Sequence, residues 1–272
     1  TLQVECQGQK ANVKGIEAEE FPAAAEFGTE GVFELPADIF CRMIKRASIA
    51  AGDGKIRPVL AGILVELVKG QLSLVAADGF RLSICNTEVS EEREAIVIVP
   101  ARSLMELTKI GLDIDLIQVD VHENRVLFQA GDTKLVCQVI NGEFPDYRKM
   151  YSSGYTTRAV VNTDDFKRAC TMTKVFAKEV ADVATVEVSS ALRQLTISAL
   201  SPERGDSAAE IEAEVEGEDI TIGLNAIYLL DVLRVIESEQ VVMEATSPLS
   251  AVTIKPLDGS DFSYIVMPMM IS

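Results

Sequence analysis

Apolar positions recur along this chain with two periods, one helical and one strand-like, and the two alternate in a fixed order. Between Pro36 and Ala50, Ile39, Phe40, Met43, Ile44 and Ala47 share one face at helical spacing, while Arg42, Lys45, Arg46 and Ile49 fall on the other. Pro36 suits the first turn of such a helix, where a missing N–H costs nothing, and Gly52-Asp53-Gly54 breaks it. Strand-like alternation follows over 62–67, 71–76 and 81–85, punctuated by the turn signals Lys69-Gly70 and Asp78-Gly79. Residues 96–99 predict another strand, Pro100 opens a second helix to about Ile110, and 116–121, 126–130 and 134–140 predict three more strands. The same order then returns, with Thr163-Asp164-Asp165 as a helix start and Asn225 capping a last helix through Ile236. Two helices per module among many short strands predict an α+β fold, with helices packed on one face of antiparallel sheets.

The recurrence extends to residues. Phe40-Cys41-Arg42 returns as Phe166-Lys167-Arg168, and the run from Gln71 to Ala76 returns from Gln194 to Ala199. Ile96-Val97-Ile98 before Leu104 and Leu107 returns as Ile220-Thr221-Ile222 before Leu229 and Val232. A spacing of about 125 residues marks a duplicated module. At the front, Leu2-Gln3-Val4 leading through Lys10 to Glu20-Phe21-Pro22 mirrors Leu127-Phe128-Gln129 leading through Lys134 to Glu143-Phe144-Pro145. Residues 1–32 therefore read as the tail of a third copy. A chain that begins at Thr1, already inside a strand-like alternation, is expected to be truncated.

Composition sharpens this picture at a few points. A length of 272 residues suits about two domains. Cys6, Cys41, Cys85, Cys137 and Cys170 are scattered through apolar runs without a CxxC pair, so buried thiols are expected rather than a disulfide framework or zinc site. No signal peptide is visible and no apolar run approaches the roughly 20 residues that span a bilayer, so the expectation is a soluble, cytoplasmic protein. His122 stands alone before Glu123-Asn124 and reads as a solvated turn residue. Asp113, Asp115 and Asp120 alternate along a strand and lack the glycine and final glutamate of a calcium loop. Arg81 beside Asp78 reads as a turn-stabilising charge or pocket wall rather than a catalytic pair. With no nucleophile elbow, P-loop, HExxH or dinucleotide fingerprint, the expectation is no catalytic residue, no metal and no cofactor.

Charge adds the first hint of a partner. The formal net charge is −17, which argues against polyanion binding in general. The predicted helices break the trend: 36–50 carry +2, 100–111 carry +1, 162–179 carry +1 and 225–238 carry −1. They total +3, which leaves −20 for the rest. Lys167, Lys174 and Lys178 fall on one stripe of the third helix. Any solvated helix can carry a basic face, but its recurrence in duplicated modules of an acidic chain points to helices that line a surface facing a polyanion. Arg42, Lys45, Arg46, Lys167, Lys174 and Lys178 are the candidates for contact with duplex DNA phosphates.

Arg57-Pro58-Val59-Leu60-Ala61-Gly62, Ala76-Ala77-Asp78-Gly79-Phe80-Arg81-Leu82, Gly142-Glu143-Phe144-Pro145-Asp146-Tyr147-Arg148 and Tyr264-Ile265-Val266-Met267-Pro268-Met269 stand in this order along the chain. Together they resemble the bacterial DNA polymerase III beta subunit, the sliding clamp, over nearly its whole length. The resemblance implies repeated clamp modules: the end of a first domain at 1–32, a second domain at 33–153 and a third at 154–272. It implies a non-catalytic homodimeric ring around double-stranded DNA, held without regard to sequence, with the polymerase III alpha subunit, the clamp loader and other replication and repair proteins as partners. The alternative is a clamp-like peptide-binding adaptor without ring closure. Partner peptides would enter a pocket made by Arg57, Leu60, Ala77, Gly79, Phe80, Arg81 and Leu82, with Pro145, Lys149 and Met150 beside them. Tyr228, Leu249 and Ala251 would form the far wall, and Ile265, Val266, Met267, Pro268, Met269, Met270 and Ile271 the lip. Ala77, Phe80 and the final Met270-Ile271-Ser272 depart from the family pattern and make the lip more apolar.

Overall fold

The computed structural model describes residues 1–20, 26–28, 32–110, 114–150 and 154–271, with the side chains of Ala18 and Met150 outside that description. Phe21, Pro22 and Asp113 lie outside the described residues. A front hairpin, β1 (Leu2–Cys6) and β2 (Gln9–Val13), precedes two copies of one module. The first copy runs β3 (Phe33–Pro36), α1 (Ala37–Ser48), β4 (Gly62–Val68), β5 (Gln71–Ala77), β6 (Arg81–Glu88), β7 (Ala95–Pro100), α2 (Ala101–Ile110), β8 (Leu116–Val121), β9 (Arg125–Ala130) and β10 (Thr133–Gln138). The second runs β11 (Thr157–Asn162), α3 (Thr163–Ala177), β12 (Val183–Ser189), β13 (Gln194–Ser201), β14 (Gly205–Gly217), β15 (Ile220–Asn225), α4 (Ala226–Val235), β16 (Gln240–Ala245), β17 (Val252–Pro256) and β18 (Phe262–Val266).

Strand pairing repeats with the order. The sheet β7-β4-β5-β6 corresponds to β15-β12-β13-β14, and β3-β8-β9-β10 corresponds to β11-β16-β17-β18, all antiparallel. The recurrent residues take matching places: Phe40 and Phe166 are fully buried on α1 and α3, as are Leu104, Leu107, Leu229 and Val232 on α2 and α4. The front hairpin matches β9 and β10 in kind, and Gln7 and Gly8, both at positive φ, form its turn.

The modules join edge to edge. β18 pairs with β6 from Phe262↔Cys85 to Val266↔Arg81, so one twelve-stranded sheet crosses the boundary. On the helix side as well the modules touch: α1 packs on α2, α3 on α4, and α1 meets α4, giving a helix layer in the order α2-α1-α4-α3. Leu67, Leu72, Leu74, Ala76 and Cys85 point from their sheet into the core that these helices cover. The alternate positions Leu64, Val75, Ala77, Leu82, Ile84 and Ile265 form a separate apolar cluster on the opposite face.

Local chemistry departs from the sequence reading at the starts of α1 and α2, where Pro36 and Pro100 each end a strand, whereas α3 begins at Thr163 as expected. Pro36 is the residue before α1 and ends β3, so it precedes the first turn rather than occupying it. The start of α3 is capped by Asn162, whose side-chain oxygen accepts from the backbone N–H of Asp164 and Asp165 at 3.1 Å each. Thr163 instead donates its hydroxyl to the Ser238 carbonyl at 2.8 Å. Asn225 caps α4 as expected, accepting from Ile227 N–H and Tyr228 N–H.

Candidate functional site

The site grows out of the joint between modules. The turn between β5 and β6 is shaped by Asp78, which accepts from the backbone N–H of Phe80 at 2.9 Å and of Arg81 at 3.0 Å, while Gly79 takes φ +96°. This turn lifts Phe80 into solvent, where it is 64% exposed, and aims Arg81 across the joint. Arg81 donates through Nε to Asp78 at 2.9 Å, through NH1 to Asp231 of α4 at 2.7 Å and through NH1 to the Tyr264 hydroxyl at 3.3 Å. Its guanidinium also lies 4.1 Å from the centre of the Tyr228 ring. Burial works against the Arg81 charge, but Tyr264, Asp231 and Asp78 outweigh it and hold its pKa above the ordinary arginine value. The same burial pushes the Tyr264 hydroxyl up. Asp78 and Arg81 are therefore a structural pair, in keeping with the turn-stabilising reading.

Behind this turn, on the sheet face opposite the helices, lies a cavity of about 340 Å³. Arg57, Leu60, Ala77, Gly79, Phe80, Arg81 and Leu82 line one side, and Pro145, Ala251, Ile265 and Met267 complete the part expected from sequence. Phe144 and Tyr147 also line it. Both stand within the Glu143-to-Arg148 motif, so the signal that pointed to Pro145 could have found them.

Other expected pocket residues take different places. Lys149 is exposed and paired with Asp146 at 2.9 Å, away from the lining. Tyr228 lies under Arg81 rather than in the wall, and Leu249 is 84% exposed beside Ala251. Val266 is fully buried in the core, because alternation along β18 turns it opposite to Ile265. Met150 cannot be placed as a wall residue, since its side chain lies outside the described residues. The tail beyond β18 is tied to both modules: Met267 N–H donates to the Phe80 carbonyl at 2.8 Å, and Met269 N–H to the Gly223 carbonyl of β15 at 2.8 Å. A Cβ on Gly223 would stand 2.4 Å from the Met269 carbonyl oxygen, so only glycine admits the tail there. Pro268 joins the two tethers, and Met270 (89%) and Ile271 (47%) are exposed beyond them.

The candidate cations sort by helix face. Arg42 and Lys45 on α1 and Lys178 at the end of α3 are exposed, Lys167 and Lys174 are half-buried, and Arg42 pairs with Asp38 at 3.3 Å. Arg46 does not share that row. It is 8% exposed, its guanidinium 5.1 Å from the Phe262 ring centre and NH1 3.4 Å from Ser260 Oγ, because α1 rotates it toward the joint. A hollow of about 330 Å³ between α1 and α4 gathers Arg42, Lys45, Arg46 and Arg234, with Asp38 and Glu237. Arg234 was not among the sequence candidates, since the net charge of its helix segment is negative.

Asp120 is buried, 3.0 Å from His122 Nε2, and accepts from Gly28 N–H at 2.7 Å. Cys41, Cys85, Cys137 and Cys170 are buried and Cys6 is exposed, and burial pushes Cys85 up to about 12. Among the described residues no group of three metal-ligating side chains occurs, and no helix is long and apolar enough to cross a membrane.

Repeated helix-lined modules, joined into one sheet with an apolar pocket at the joint, define a clamp-type architecture. Residues 34–146 match the DNA polymerase III beta subunit, central domain, and residues 149–270 its C-terminal domain. The chain belongs to the DNA polymerase III beta subunit, or beta sliding clamp, family. A beta sliding clamp of Proteus mirabilis is 28% identical over 257 residues, which cover 93% of this chain and 70% of that protein. The solved beta subunit of Thermotoga maritima superposes with a TM-score of 0.87 at 28% identity, covering 99% of this chain and 74% of its own. The solved sliding clamp of Bacillus subtilis gives 0.90 at 25% identity, over 99% and 72%.

Proposed function

We propose that this protein is a processivity clamp of DNA polymerase III, acting through two surfaces on opposite sides of its sheets. The observation that carries the reading is this opposition. One side is a continuous layer of four helices with Arg42, Lys45 and Lys178 in solvent, and the other holds the apolar cavity at the joint. The helix layer faces duplex phosphates without reading bases, and the cavity takes an apolar peptide of a polymerase or another replication partner, including the clamp loader. The role is mechanical tethering in the cytoplasm, with no chemistry of its own.

In this reading residues 1–32 end a first module, 33–153 form a second and 154–272 a third. The joint between β6 and β18 supplies the rule for assembly. The first half of β14 corresponds to β6 and, by the match of the front hairpin to β9–β10, β2 corresponds to β18, and among the described residues each keeps a free edge. Unlike edges that complete one another make a head-to-tail contact, which closes into a homodimeric ring when the rotation allows. Membership of the clamp family across both modules favours this over an adaptor that never closes.

Calorimetry with a peptide from the tail of a replicative polymerase tests the pocket. Met267→Ala should weaken binding by about 1–2 kcal/mol, as expected for an anchor in a desolvated cavity. Deletion of residues 267–272 should abolish it. Unchanged affinity after that deletion would remove the pocket from the proposal.

A further inference from the structure

The outer face of the sheet at the joint does not end at the apolar cavity. Successive outward positions on β5 run Ala77, Val75, Ser73, Gln71, and those on β6 run Leu82, Ile84, Asn86, with Ala77 opposite Leu82 and Ser73 opposite Asn86. On β18, Ile265 is followed outward by Ser263, opposite Ile84. One sheet face thus changes from apolar to neutral polar within a few residues. The polar half floors a second hollow of about 360 Å³, formed by Gln71, Ser73, Asn86 and Ser263 with Ile84 at its apolar end, between Arg148 and Asp261. Tyr147 walls both hollows. Its hydroxyl donates to Glu66 at 2.7 Å and Arg148 donates to the same carboxylate oxygen at 2.9 Å, so the ridge between the hollows is held in place.

We propose that this polar hollow is a second subsite for the partner peptide, taking a flank of uncharged polar residues such as serine, asparagine or glutamine. The inference rests on the peptide pocket proposed above. Three observations select this occupant. The hollow adjoins the pocket, with Tyr147 lining both, so one extended chain can pass over that ridge from one to the other. Its floor offers two amides and two hydroxyls, which donate and accept, matching neutral polar side chains and free backbone groups. Its two charges are opposite in sign, and Arg148 is already engaged by Glu66, so neither an acidic nor a basic flank is selected. The step from Ala77 to Ser73 along β5 is four residues, about 13 Å at strand rise, so a flank of about four extended residues reaches across.

The test uses a fluorescent Gln- and Leu-containing peptide alone and extended by four Ser/Gln residues at one end or at the other, titrated against the full chain. One of the two extensions should tighten binding by about three- to tenfold, the effect of one or two net hydrogen bonds. The Gln71→Ala/Asn86→Ala double variant should erase that gain and leave the unextended peptide unchanged, which also shows that the variant is folded. No gain from either extension, or a gain that survives the double variant, overturns the second subsite while the pocket stands. Failure of the unextended peptide to bind the unmodified protein overturns the pocket, and this inference with it.

Discussion

Arg81 concentrates more of the joint than any neighbour, because a single planar fork meets Asp78 on its own module and Asp231, Tyr228 and Tyr264 on the next. Its side chain is 13% exposed, so these contacts are little screened by solvent. Arg81→Ala should lower the unfolding free energy by about 2 kcal/mol, since the buried Tyr264 hydroxyl would lose its partner and the half-buried Asp231 would keep only Arg234 at 3.7 Å. Arg81→Lys should recover only part of this, because an ammonium keeps the charge and loses the fork. Urea denaturation followed by circular dichroism measures both, and equal stability of Arg81→Ala and the unmodified protein would deny Arg81 this role. At the same scale, residue types alone announced the Asp78 turn and the Asn225 cap. They did not announce the burial of Arg46, since a basic residue among basic neighbours reads as solvated until a second module covers it.

At the scale of elements, two segments have opposite standing. The tail after β18 is short, yet it is tethered to Phe80 and to Gly223 at 2.8 Å each. Gly223→Val should displace the tail by forcing Met269 off β15, and should weaken partner-peptide binding while the thermal midpoint moves little. Calorimetry and a melting curve check the two halves of this expectation. The hairpin β1–β2 has every residue exposed, Leu2, Val4 and Val13 among them. A lone two-stranded hairpin is marginal in water, so its amides should exchange with solvent far faster than those of β13, which sits mid-sheet. Protection of 2–13 equal to that of Gln194–Ser201 would contradict this. Among the described residues, links of the front segment to the rest run further along, from Gly28 to Asp120, from Phe27 to Lys134 at 5.7 Å and from the Val32 carbonyl to Arg93.

For the whole molecule, the DNA contact proposed above is compatible with an acidic chain because the proposed contact residues are cations of the helix layer. A net charge of −17 repels polyanions at long range, while the helix layer offers Arg42, Lys45, Lys167, Lys174, Lys178 and Arg234 at short range. Binding to duplex DNA should be indifferent to sequence and should weaken steeply with salt, with a log–log slope of about −3.6 to −4.5 for four to five phosphates neutralised. Lys167→Gln and Lys178→Gln should each reduce that slope by about 1 in fluorescence anisotropy titrations. A slope unchanged in the double variant would move the DNA elsewhere.

Periodicity and duplication were enough to determine the α+β class, the element order and the repeat, because spacing along one strand or helix is a property of the local chain. The same holds for the buried faces: Phe40, Met43, Ile44 and Ala47 are inside because their spacing puts them on one side of α1. The pocket motifs were legible as residues, and eleven of them meet in one cavity, Arg57 through Met267. Which members of a motif face the cavity was decided by tertiary structure. Pleating turns Ile265 outward and Val266 inward, an ion pair draws Lys149 to Asp146, and only the docking of a second module brings Asp231 to Arg81 or Ser260 to Arg46. Those contacts join residues 150 and 214 positions apart, a separation at which local pattern carries no information and packing alone selects the partner.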